Sequence, residues 1–132
     1  MEVEMFYEIS AKFLHGFKWL LWAAATHLFH YRQNFYHWSL WVPVIALYIL
    51  MVNLWLAEFV PTEPILQVLR LVLIVVILAH LWGAYLHLVG VGKRVGGQNI
   101  HNHMIGPPII LPLIVATVAT LDLLRLLLGD IP

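Results

Sequence analysis

The sequence contains no cysteine, so disulfides, iron–sulfur ligation and thiolate metal sites are all excluded. It is also short of charge, with 7 basic and 7 acidic residues among 132, or 11%. Soluble domains usually carry about 25%, so a deficit this deep calls for a solvent other than water. The two signs cancel, which removes the basic surface expected of a nucleic-acid partner. There is no glycine-rich nucleotide loop, no nucleophile beside a base and no pair of catalytic carboxylates. No two histidines are adjacent, so the HxxHH-type boxes of membrane di-iron desaturases are missing. A copper oxygenase would want a carboxylate and histidines on one helix, and Asp122 shares its run with none. Glu2, Glu4 and Glu8 stand where a signal peptide would carry basic residues.

What is present in excess is apolar, 62% of the chain. A helix that crosses a bilayer needs ~20 mostly apolar residues. Three runs qualify: Trp38 to Phe59, Ile65 to Val91 behind Pro61 and Pro64, and Ile109 to Leu128 behind Pro107 and Pro108. Pro112 falls in the first turn of the last run, where proline is tolerated. Trp38, Trp41 and Trp55 fit aromatic belts at the two membrane surfaces.

The segment from Met5 to Tyr31 reads differently. Met5, Ile9, Phe13, Phe17, Leu20, Ala24 and Leu28 recur at helical spacing, with Glu4, Glu8, Lys12, His15 and Lys18 off that stripe. Its purely apolar part, Trp19 to Ala25, is short, which favours a helix lying in the interface. The expected architecture is therefore all-α and integral to a membrane. An amphipathic helix and link occupies 1–37 and a three-helix transmembrane domain 38–132, with a fourth span through residues 5–31 as the alternative. With three spans, Lys12, Lys18, Arg32, Lys93 and Arg94 share one side, and Glu58, Glu63 and Asp130 the other. The positive-inside rule then expects an inner, cytoplasmic membrane with the N-terminus in the cytoplasm.

Eight histidines in so apolar a chain are the anomaly, because polar groups in a bilayer are costly without a partner or a task. His80 and His87 are seven residues apart in the second run, ~10 Å along one helix face. Gly83 and Gly90 share that face. Imidazole beside positions without side chains is what a flat macrocycle requires, with His80 as the axial ligand to iron. His87, followed by Lys93 and Arg94, is placed to meet a propionate or another anion. The competing reading is helix packing through the glycines, each histidine bonding a carbonyl or hydroxyl.

His27 and His30, with Arg32 and His37 after them, form a second group at i and i+3. They suit a proton-delivering quinone site or a second ligand, or else a wet interfacial surface. His101 and His103 would chelate only on a strand, and a solvated loop is their simpler fate. His15 is most simply interfacial. Asp122 and Arg125 are spaced as a self-neutralising pair, and Ala116, Ala119 and Thr120 form a small-residue surface suited to another subunit.

The run H-L-W-G-A-Y-L-H from His80 to His87 resembles the H-x-x-x-G-x-R-H found on the second span of some membrane anchors of succinate dehydrogenase and fumarate reductase. The histidine spacing is kept, the glycine comes one residue early, and the arginine is absent. G-P-P-I-I-L-P-L-I-V-A-T-V-A-T, from Gly106 to Thr120, is similar to the entry of the third span in haem-free anchors. The resemblance implies a non-catalytic subunit of a respiratory electron-transfer complex. It would help bind a b-type haem and a quinone beside other integral membrane subunits, and anchor a soluble dehydrogenase. His80 would match the haem ligand, His87 the propionate-side histidine, and Arg32 a quinone-pocket residue. Two alternatives stay open: a chlorophyll-type pigment subunit of a photosynthetic complex, and a purely structural membrane subunit. Three spans cannot wall a macrocycle alone, so a facing ligand is expected from another chain.

Overall fold

The computed structural model describes residues 2–32, 34–94, 96–105 and 108–129. Among them there is no strand. The order is α1 (Glu2–Tyr31), a 3-10 turn (Trp38–Leu40), α2 (Trp41–Phe59), α3 (Glu63–Arg94), α4 (Ile100–Ile105) and α5 (Ile110–Leu128).

The apolar runs give the expected helices with small changes at their ends. Proline fixes φ and lacks an N–H, so it fits a first turn where that N–H has no partner. Pro43, Pro64 and Pro112 each sit within the first three residues of a helix. Pro64 is thus inside α3 rather than ahead of it. Gly129, at φ 83°, takes the left-handed position that ends α5. Pro107 and Asp130 lie outside the described residues. Among the described residues, three helical stretches are long and apolar enough to cross a membrane: Trp38–Phe59, Glu63–Lys93 and Ile110–Leu128.

α1 packs on α2, α2 on α3, and α3 on α5. α1 runs antiparallel along α2: Phe13 stacks on Trp55 near one end, and His27 meets Trp41 at the other. This is the packing of a fourth bundle helix. Gly16 makes the close approach of α1 to α2 possible, because a Cβ there would run into the Trp55 indole. Trp55 Nε1 also donates to the Phe13 carbonyl at 3.2 Å.

The face of α1 that packs inward is Gly16, Trp19, Ala23, Thr26 and His30, not the stripe from Met5 to Leu28. Of that stripe, Met5, Ile9, Phe13 and Leu28 are exposed. The helix therefore turns part of its polar side toward the bundle. Lys18 does so too, reaching Asp122 of α5. It accordingly stands at the end that holds Glu58, and the grouping of Lys18 with Arg32 and Lys93 is corrected. The core between the two ends is a layer of leucine, valine and alanine, including Leu47, Leu50, Leu73, Val76, Val115 and Ala119.

Candidate functional site

Four helix ends converge where α1 finishes, α2 begins, α3 nears its C-terminus and α5 begins. Thr26, His30, Pro43, His80, Gly83, His87, Pro108 and Pro112 line a hollow of about 60 Å³ there. A wider one of about 320 Å³ adjoins it, sharing His30, Pro43, Gly83 and His87 and adding Trp38, Ser39 and Trp82. Three prolines reach this region, Pro43 and Pro112 from the first turns of α2 and α5 and Pro108 from the approach to α5. Gly83 keeps the α3 wall thin: a Cβ there would lie 3.9 Å from Pro112.

The three histidines are held alike. His80 Nδ1 is 2.8 Å from the Val76 carbonyl, His30 Nδ1 2.8 Å from the Thr26 carbonyl, and His87 Nδ1 3.0 Å from the Pro108 carbonyl. A carbonyl only accepts, so each Nδ1 carries a proton, and in a neutral ring the lone pair is then on Nε2. Fixing one ring nitrogen on a carbonyl is how proteins orient a ligating imidazole. His80 is 2% exposed, and its Nε2 is buried with no hydrogen-bond partner. An orphaned buried acceptor costs about 1–3 kcal/mol. It calls for a Lewis acid or a hydrogen-bond donor, since another acceptor would be repelled.

His30 and His87 face each other across the hollow with ring centroids 6.4 Å apart. A second nitrogen near the α3 histidines therefore comes from α1 of the same chain. His27 does not join them. It lies 3.3 Å from the Tyr48 hydroxyl within a ring cage of Phe35, Trp41 and Tyr48. Arg32 and Lys93 are exposed and line neither hollow. The side chain of Arg94 lies outside the described residues.

His101 and His103 stand on α4, a helix, where i and i+2 point to different faces. They do not form the strand-type chelate. Among the described residues no three His, Cys, Asp or Glu side chains are grouped to hold a metal ion. A macrocycle that brings four ligands of its own needs only one or two imidazoles from a protein. Asn102 organises that loop by donating to the Gly97 carbonyl at 2.9 Å.

A second polar cluster lies at the opposite end of the bundle. His15 Nδ1 is 2.6 Å from Glu58 Oε1, and its Nε2 is 3.3 Å from Asp122 Oδ2. Asp122 also accepts from Lys18 Nζ and from Trp19 Nε1 at 2.8 Å. Asp122 is 2% and Glu58 5% exposed. Asp122 is thus not paired with Arg125, which is exposed, and His15, expected at the membrane interface, is held between two carboxylates. Nor do Ala116 and Ala119 form an outward surface; both are buried in the chain's own core. The sequence signal for the cluster was the combination of Glu58 and Asp122 in apolar runs with His15 and Lys18 on the polar side of α1. Only the α1 register could join them.

No protein-family model, curated protein or solved structure matches the chain.

Proposed function

We propose that the chain is a multi-pass membrane subunit of an electron-transfer complex, with four crossing helices, that ligates a b-type haem at His80. The observation that carries this reading is the buried His80 Nε2, which has a lone pair and no partner beside a glycine-thinned wall. When bound, the haem would supply one-electron redox chemistry. The chain's own part is to hold imidazoles by Nδ1, exclude water with Pro43, Leu111 and Val115, and keep the site apolar. His30, across the hollow on α1, is the residue that could supply a second nitrogen.

The hollows are small beside the about 300–1,000 Å³ usual for cofactor sites. The remaining walls would come from a neighbouring integral membrane subunit. Trp38, Ser39 and Trp82 on the wider hollow give an aromatic and hydroxyl setting suited to a quinone headgroup. In its reduced form that headgroup could donate to an Nε2. Arg32 and Lys93 mark the end that would face the cytoplasm and a soluble dehydrogenase. With α1 crossing as well, both termini lie on the far side, and only the N-terminus changes side from the arrangement expected for three spans.

The test is the absorption of the native assembly, isolated through a tag on this chain. A Soret band with reducible α bands is expected, lost in His80→Ala. A far-red band would instead indicate a chlorophyll-type pigment. A colourless assembly, or a haem spectrum unchanged in His80→Ala, would overturn the reading.

A further inference from the structure

We infer that His15, Glu58 and Asp122 together bind one proton inside the bundle, and that this proton ties α1 to α2 and α5 at the same time.

The argument is one of hydrogen-bond inventory. A neutral imidazole has one N–H and one lone pair. Here both ring nitrogens face carboxylate oxygens, Glu58 Oε1 at 2.6 Å and Asp122 Oδ2 at 3.3 Å. An ionised carboxylate only accepts. With His15 neutral and both acids ionised, one of the two contacts would set a lone pair against a lone pair. One additional proton, on the ring or on a carboxyl, makes both contacts attractive.

Charge balance leads to the same count. Glu58 and Asp122 bring two negative charges, and Lys18 brings one positive. A site this buried favours neutrality, because an uncompensated charge in a low dielectric costs several kcal/mol. One further proton supplies the missing charge. The surrounding groups do not supply it. Lys12 of α1 is bonded to Glu8 at 2.8 Å and feels Glu58 only at longer range. Arg125 of α5 points to the exterior. On α3, Arg70 is paired with Glu63 at 3.0 Å. Lys18, one-third exposed, links the cluster to the surface and gives a proton its way in.

The site is independent of the histidine cavity. His15 and His30 are fifteen residues apart on one helix, about 22 Å. Removing the proton should release one edge of α1 while leaving Trp19 bonded to Asp122.

The test is NMR of the full chain in lipid bicelles with ¹⁵N-labelled histidine, the His15 signals assigned with His15→Gln. Infrared difference spectroscopy on the same sample reports any protonated carboxyl. Near neutral pH, two protonated His15 ring nitrogens are expected, or else a protonated carboxyl that Glu58→Gln or Asp122→Asn abolishes. Either result places the proton in the cluster. One protonated ring nitrogen with no protonated carboxyl overturns the inference. In Glu58→Gln the new amide can donate to His15, and one charge is gone, so the imidazolium signal should be lost. Its full retention there would equally overturn the assignment. Asp122→Asn gives the same readout should Glu58→Gln fail to fold.

Discussion

Trp19 Nε1 donates to Asp122 Oδ2 at 2.8 Å, joining the first long helix to the last. Both side chains are fully or almost fully buried. The bond closes a ring that backbone packing alone builds in sequence, α1 on α2, α2 on α3 and α3 on α5. Asp122 is therefore the residue through which α1 is bonded to α5.

Asp122→Leu should destabilise the protein by about 1–3 kcal/mol, the usual cost of leaving a buried donor, here the Trp19 N–H, without a partner. Asp122→Asn keeps an acceptor for Trp19 and should cost less. Denaturant unfolding in detergent, with Trp19 fluorescence as one probe, would measure both. A loss below 1 kcal/mol in Asp122→Leu would show that α1 is held by apolar packing alone.

Gly16→Ala should cost about 1–3 kcal/mol, the range for overpacking a tight contact. The added methyl runs into the Trp55 indole. In a Trp55→Ala background the same change should cost nothing further. This double-mutant cycle isolates the contact, and additive losses would disprove it.

His80→Leu should leave the stability of the cofactor-free chain within about 1 kcal/mol of the original, because it removes an unsatisfied buried acceptor. Thermal unfolding checks this. A large loss would mean that His80 serves the scaffold rather than a ligand.

Because the sequence has no cysteine, single cysteines can report sidedness cleanly. With α1 crossing the bilayer, Val3→Cys and Leu128→Cys should label from the same side, and His101→Cys from the other. Labelling of Val3→Cys together with His101→Cys would return α1 to the interface.

The helices were legible because a bilayer demands length and continuous apolarity, and the runs around Leu50, Val76 and Val118 supply both. The His80–Gly83–His87 stripe was legible too, since seven residues return to nearly the same face. The packing side of α1 was not. Periodicity picks out an apolar stripe but not whether it faces protein or surroundings, and here the inward face carries Gly16, Thr26 and His30. The pairing of His15 with Glu58 spans 43 residues, and that with Asp122 spans 107. Local spacing in sequence suggested Arg125 instead, because it contains no information about helix register.

The leucine and valine layer between the histidine hollow and the His15 cluster has an electrical consequence. About 22 Å of apolar side chains is most of an about 30 Å hydrocarbon core. Two unit charges at that separation interact by only about 0.8 kcal/mol at an effective dielectric constant of 20. The two ends can thus change charge almost independently. If the bundle stands upright in a bilayer, the layer also drops roughly three-quarters of the membrane voltage. An elementary charge exchanged between the ends would then do about 1.7 kcal/mol of work per 100 mV, so any such transfer would be electrogenic.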